Sequence, residues 1–369
     1  MTSALPFISL TPGADAADVR TAIDRVIARG WFILGPEVEA FEQEFAEASG
    51  ARFAVGVGTG TDALALTLRA LEIGPGDEVI TSPLSAAFSA LAILMAGATP
   101  VFADIDVDRL TVDPAAIDAA ITSRTAAILP VHLYGQSADM PAIDAIARRH
   151  DLVVVEDACQ AHLATSAGRP VGAWGAAAAF SFYPTKNLGA LGDAGAVVTN
   201  DPMIADRLKR LRNGGQTGQY QHLEFGVNSR LDELQAAILR ARLPRLRGWT
   251  AERRALAAWY REQLAGAPVA VPPECDPGHV YHLFPVLAPH REAFQAHLSG
   301  QGIGTLVHYP IPLPRQPAFA DLPPVSCPVA DRVASSVCSL PLHPGLGSGD
   351  IDRVASAVRA WSPPPARSA

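Results

Sequence analysis

Between residues 50 and 200 the chain alternates short apolar runs with helical patterns, and this alternation restricts the fold more than any other feature. Ala54–Gly58 (AVGVG) is followed by Thr61–Leu71 (TDALALTLRAL), whose Thr/Asp start suits a helix N-cap. Glu78–Ser82 precedes a helical stretch over Ser85–Gly97, and Pro100–Ile105 precedes a helix over Asp113–Ile121 with Pro114 in its first turn. Thr125–His132, the amphipathic Met140–His150 and the valine-rich Leu152–Asp157 continue the series, followed by Ala177–Tyr183 and Gly195–Asn200. Continuous apolar strands separated by helices predict an α/β fold with a largely parallel sheet covered on both faces.

The rhythm then changes. A helical region from Ser229 to about Gly266, broken at Pro244, should cross from a large domain into a smaller one. The tail alternates more loosely through His279–Ala288, Arg291–Gln301 and Ile303–Tyr309. A Pro-rich loop to about Pro328 and a last helix near Asp350–Trp361 complete an α+β pattern. Two domains are therefore expected in the 369 residues, 1–245 and 246–369, with 362–369 frayed.

Composition excludes several classes. Hydrophobic residues make up 49% of the chain and charged ones 18%, which permits a large core and rules out global disorder. The net charge is −8 with no basic block, which argues against nucleic acid or anionic membrane as partners. Apolar stretches around Ala86–Ala96 and Ala173–Phe182 fall short of the roughly 20 residues of a membrane span. No secretory signal is visible, and four scattered cysteines without CxxC spacing read as reduced thiols of a cytoplasmic protein. Of 29 basic residues only two are lysines, Lys186 and Lys209. An imine-forming site needs a neutral amine, which guanidinium cannot supply, so a lysine kept in so arginine-rich a chain is a candidate nucleophile.

Three local motifs could carry chemistry. Gly58-Thr59-Gly60-Thr61-Asp62 is a glycine-rich turn entering a helix, able to cradle a phosphate or simply to make a tight turn. Its glycine spacing does not fit a dinucleotide fingerprint. Glu156-Asp157-Ala158-Cys159-Gln160 ends a buried strand, where open α/β sheets bind ligands. A carboxylate there needs a cationic or hydrogen-bonding partner, for which a protonated pyridine nitrogen would serve; a helix N-cap is the plainer reading. Ser181–Gly189 (SFYPTKNLG) puts Lys186 in a loop stiffened by Pro184, 29 residues beyond Asp157.

This order resembles the aspartate-aminotransferase-like fold of pyridoxal-phosphate enzymes, and more narrowly the DegT/DnrJ/StrS family of sugar aminotransferases. The likeness runs through GWFILGPEVEAFEQEFA (Gly30–Ala46), GTDAL (Gly60–Leu64), GPGDEVI (Gly74–Ile80), AGATPVFADID (Ala96–Asp106), PVHLYGQ (Pro130–Gln136), EDACQAH (Glu156–His162), SFYPTKNLGALGDAGAVVTND (Ser181–Asp201) and GVNSRLDELQAAIL (Gly226–Leu239). It implies a large domain with a mostly parallel seven-stranded sheet and a smaller α+β C-terminal domain.

The resemblance also implies roles. Lys186 would form the Schiff base with pyridoxal 5'-phosphate and shuttle protons, and Asp157 would hold the pyridine nitrogen protonated. Gln160 would contact the phenolic oxygen. Gly60, Thr61 and Ser181 would bind the phosphate, and Asn228 would reach the phosphate of the neighbouring subunit of a homodimer. Tyr183, His308, Tyr309 and Arg315 fall in segments expected to meet substrate.

Two segments depart from the family. Where members carry an aromatic residue stacked on the ring, Pro83–Ala90 reads PLSAAFSA, with Ala87 in that place and Phe88 one position later. Phe88 stacks on the cofactor or packs in the core. In Val307–Phe319, Pro314 and Arg315 replace His and Leu, so Arg315 meets a substrate phosphate or is a solvated loop residue.

The expected reaction moves an amino group from L-glutamate to C3 of a dTDP-3-keto-6-deoxyhexose, through pyridoxamine 5'-phosphate. Amination at C4 of a nucleotide sugar, or of a cyclitol ketone, is the alternative. Family dehydratases carry His in place of Lys186. A catalytically silent sensor or scaffold, and a nicotinamide oxidoreductase, are the readings from other classes.

Overall fold

The computed structural model describes residues 4–363. The expected end of the tail, residues 364–369, lies outside the described residues. The apolar runs become strands β1 (Phe53–Val57), β2 (Glu78–Thr81), β3 (Thr99–Phe102), β4 (Thr125–Leu129), β5 (Val153–Asp157), β6 (Ala177–Ser181) and β7 (Gly195–Thr199). They form one seven-stranded sheet in the order β1-β7-β6-β5-β4-β2-β3.

Strands β2 to β6 pair in parallel, as continuous apolar strands with helical crossovers require. Strand β7 runs antiparallel to both β1 and β6. The physical reason is the connection. Residues 182–194 between β6 and β7 contain no helix, so the chain can only turn back beside the strand it has left. That return loop carries Lys186.

The helices follow their capping signals. Helix α1 spans Ala16–Arg29, α2 Pro36–Ser49, α3 Gly60–Ala70, α4 Phe88–Met95, α5 Pro114–Ala120 and α6 Met140–His150. The stretch expected from Ser85 becomes α4 only at Phe88, because Ser82 folds back on Leu84 around Pro83. Helix α7 (Pro202–Leu211) was not expected, although Asp201 accepts from the Met203 amide at 2.7 Å and Pro202 opens it. The long helical region is α8 (Glu233–Arg242) and α9 (Leu246–Gln263), separated by a 3₁₀ turn at Pro244.

In the C-terminal part, α10 (Arg291–Gly300), α11 (Pro328–Ser336) and α12 (Ser348–Ala360) surround an antiparallel pair, β8 (Phe284–Leu287) with β9 (Val337–Leu340). Helix α11 and β9 follow the Pro-rich loop and were not foreseen. Tyr260, Phe284, Phe294 and Trp361 form the core here, and Leu5 packs into it from the N-terminus.

Two packing features position the site. Phe41 and Phe45 of α2 meet Phe180 and Phe182 edge to face at 5.1–5.3 Å, which clamps α2 over the end of β6. The buried Glu233 carboxylate accepts from the amides of Gly35, Glu37 and Val38 at 2.9, 3.0 and 2.8 Å. It thereby caps α2 from α8, and the preceding loop is tied to the same helix start, where the Phe32 carbonyl accepts from the Glu233 amide and Ile33 bridges to Asp232.

Candidate active site

The register of the sheet brings the three motifs to one end of its strands. Val57 pairs with Gly195, Gly195 with Ser181, and Asp157 lies opposite Ala179 two residues back. The turn after β1, the return loop after β6 and the end of β5 therefore converge.

At the turn, Thr59 Oγ1 accepts from the Asp62 amide at 3.0 Å and starts α3. The Gly60 and Thr61 amides, in the first turn of that helix, find no acceptor among the described residues. Glycine is required at position 60 by close approach: a Cβ there would lie 2.7 Å from Ser181 Cβ and 2.8 Å from Cys159 Sγ. Two free amides at a helix N-terminus with the Ser181 hydroxyl beside them fit a phosphate group.

Asp157 is buried at 5% exposure with no salt bridge among the described residues. Its Oδ2 accepts from Ser89 Oγ at 2.7 Å and its Oδ1 from the Cys159 amide at 3.1 Å. Two neutral donors are a thin shell for a buried carboxylate, and a protonated ring nitrogen would complete it. Lys186 retains some exposure and, among the described residues, its ammonium makes no hydrogen bond or ion pair. Burial pushes its pKa below the ordinary 10.5, against the opposing pull of Cys159 and Asp157. The neutral amine that imine chemistry needs is thus more accessible than on a surface lysine.

Gln160 is held from both ends: its Oε1 accepts from the Tyr134 amide at 2.8 Å and its Nε2 donates to Tyr309 Oη at 3.1 Å. Tyr134 Oη donates to the His308 carbonyl, and His308 Nδ1 lies 2.9 Å from Ser339 Oγ. These contacts bring His308 and Tyr309, from the C-terminal part, to the end of β5. Burial pushes the Tyr309 phenol up to about 12, so it stays a protonated donor.

Four histidines are held neutral around this region. Burial lowers His162 and His279 to about 3, His308 to about 4, and His282 well below its ordinary 6.5. In each, the unfolded chain binds a proton that the folded one rejects. Stability is therefore full above pH 6.5 and is lost as pH falls toward 4, at about 1.4 kcal/mol per pH unit for each group fully in that window. We expect the melting temperature to fall steeply from pH 6 to pH 4. A His279→Gln variant should show a shallower slope; an unchanged slope would remove His279 from this account.

The remaining candidates stand apart. Tyr183 is half-exposed, with only its amide drawn in, donating to Ser181 Oγ at 3.3 Å. Phe88 opens α4 with 61% of its surface exposed, so it is not a core residue. Arg315 is exposed and forms a two-point ion pair with Asp331 at 2.9 and 3.2 Å, the solvated-loop alternative of the two readings. Asn228 is exposed, whereas its neighbour Ser229 turns inward. Ser229 Oγ accepts from the Gly58 amide at 2.9 Å and donates to Asp62 Oδ2 at 2.7 Å, bracing the turn after β1 of its own chain.

Sequence reasoning missed Ser89, Ser229 and Tyr134, and placed Asp62 in the glycine-rich turn without its contact to Ser229. For Ser89 the local sequence offers little: it directly follows the exposed Phe88 in the first turn of α4, and only the contact with Asp157 shows which way it turns. For Ser229 only the contact itself, across 171 residues, reveals the role.

Residues 14–359 match the model of the DegT/DnrJ/EryC1/StrS aminotransferase family. The chain is 49% identical over 98% of its length to the dTDP-3-amino-3,4,6-trideoxy-alpha-D-glucose transaminase of Streptomyces venezuelae, covering 97% of that protein. It is 48% identical over 93% of its length to the dTDP-3-amino-3,6-dideoxy-alpha-D-galactopyranose transaminase of Aneurinibacillus thermoaerophilus, covering 95% of it. Among solved structures, S. venezuelae DesV in complex with a ketimine intermediate superposes with a TM-score of 0.94 at 49% identity, with 98% of this chain and 99% of that one covered. Bacillus subtilis NtdA with bound cofactor PMP gives 0.91 at 33%, with 97% and 85% covered.

Proposed function

We propose, for a chain that belongs to the DegT/DnrJ/EryC1/StrS aminotransferase family, that it transfers the amino group of L-glutamate to C3 of a keto nucleotide sugar, with a dTDP-3-keto-6-deoxyhexose as acceptor. The observation that carries this reading is Lys186: a desolvated amine, unpaired among the described residues, at the end of the sheet shared by Asp157 and the open amides of Gly60 and Thr61. The two transaminases above are named for 3-amino sugars on dTDP, and this supports both the ring carbon and the nucleotide.

Pyridoxal 5'-phosphate, when bound, supplies an aldehyde for the amine and a ring that takes up electrons. Gly60, Thr61 and Ser181 would hold its phosphate, Asp157 its ring nitrogen and Gln160 its phenolic oxygen. Lys186 would capture the aldehyde and, once released, move protons as a neutral amine. His308 and Tyr309, brought in by Tyr134 and Gln160, would line the sugar side together with Tyr183. Arg315 is left to Asp331.

The active unit we infer is a homodimer. Trp31 (55%), Leu223 (70%) and Phe225 (93%) are all exposed. So much exposed apolar surface marks an interface. Asn228, exposed in the same segment, would donate to the phosphate of the partner subunit. We divide the chain into domains at residues 245 and 246. No described helix is long and apolar enough to cross a membrane. Four free cysteines suit the reducing cytoplasm, and the net charge of −8 disfavours nucleic acid.

The test is a panel of 3-keto and 4-keto sugars on dTDP and UDP, incubated with cofactor-loaded enzyme and L-glutamate, with products identified by mass and NMR. A 3-amino dTDP-sugar is expected, and L-glutamate alone should bleach the visible band of the loaded enzyme. Amination of the 4-keto series alone would overturn the ring carbon. A band untouched by L-glutamate would overturn the donor.

A further inference from the structure

We propose that Ser85 and Ser89 form a hydroxyl relay that stabilises the negative charge of Asp157 and sets its orientation, which makes both serines positioning residues. The proposal rests on the reading of Asp157 as partner of the cofactor's ring nitrogen.

Proton counting gives the relay its direction. An ionised carboxylate accepts hydrogen bonds and donates none, so the 2.7 Å contact between Ser89 Oγ and Asp157 Oδ2 uses the single hydroxyl proton of Ser89. Ser85 Oγ lies 3.1 Å from Ser89 Oγ. With the Ser89 proton committed, Ser85 must be the donor in that contact. The chain of donors runs Ser85 to Ser89 to Asp157, and each link polarises the next.

The setting makes the relay consequential. Ser85 and Ser89 are 3% and 2% exposed, so water cannot replace a lost hydroxyl. Among the described residues Asp157 has only one other donor, the Cys159 amide on its other oxygen. That pair of donors leaves the free lone pairs of the carboxylate for a ligand and stabilises its charge. When carboxylate and ring nitrogen share a proton, stabilising the charged carboxylate favours the proton on nitrogen. A serine that merely glued α4 to β5 would not have this effect.

The test reconstitutes the native protein and four variants with pyridoxal phosphate labelled with nitrogen-15 in its ring. The nitrogen resonance reports the protonation of the ring, and steady-state kinetics are measured in parallel. Ser89→Ala should move the resonance toward the unprotonated position and lower kcat about tenfold, with the KM for L-glutamate changed less than about twofold. Ser85→Ala should move both in the same direction by less, and Ser89→Thr should retain the native signal. If Asp157→Asn shifts the resonance while both alanine variants stay native, the relay is overturned and the Asp157 reading stands. If Asp157→Asn itself stays native, that reading falls and the relay with it. A lower kcat without movement of the resonance would reduce Ser89 to a packing role and overturn the proposal. Should Ser89→Ala fail to fold, Ser85→Ala, one step removed from the carboxylate, decides alone.

Discussion

Replacing Lys186 with alanine should leave a folded protein that has lost essentially all transamination, a fall of at least about ten-thousand-fold in kcat. The fold should survive because Lys186 makes no hydrogen bond or ion pair through its side chain among the described residues and keeps some exposure. The chemistry should not survive, because no other amine is available: Lys209, the second of two lysines, lies in α7, on the surface away from the site. Borohydride reduction of the cofactor-loaded native protein, followed by peptide mapping, should tag the Lys186 peptide. Tagging at Lys209 would overturn the assignment.

Asp157→Asn should keep the outline of the site and lower kcat about a hundredfold or more, with a much smaller change in KM. Two effects combine. The neutral amide cannot balance a protonated ring nitrogen with a full charge. The amide also has a single oxygen, whereas two donors, Ser89 Oγ and the Cys159 amide, approach Asp157 from different sides. Whichever way the amide turns, its NH2 meets one donor head-on or faces the cofactor with the wrong polarity. Steady-state kinetics with L-glutamate provide the check, and near-native turnover would remove Asp157 from its role.

The chain reveals the most where function depends on local order. Strand lengths, apolar runs and the Thr61/Asp62 helix-start signal place Gly60, Asp157 and Lys186 just beyond strands before any coordinates are seen, because a βα unit is set by contacts within about 30 residues. The cap itself proves to be Thr59, two residues earlier. Ser89 is harder to read: it joins Asp157 across 68 residues, and one step of helix rotation would have sent it outward and Phe88 inward. The same ambiguity affects Asn228 and Ser229. Alternation shows that one of them points in, but only the position of the turn after β1 shows which. Arg315 was expected either to meet a phosphate or to stay in solvent, and Asp331, sixteen residues on, occupies its guanidinium.

The amino-acid sequence by itself determined the alternation of strands and helices, the class of fold, and the identity of the amine and carboxylate at the strand ends. These follow from periodicity and from the chemistry of single side chains. Only the tertiary structure decided which strands are neighbours, that β7 runs against β1 and β6, that Glu233 caps α2 across 198 residues, and that two serines stand behind Asp157. Strand order and side-chain facing are settled by the closing of long loops and by the packing of whole faces. Those energies are summed over many distant residues and leave no pattern in any single stretch of the chain.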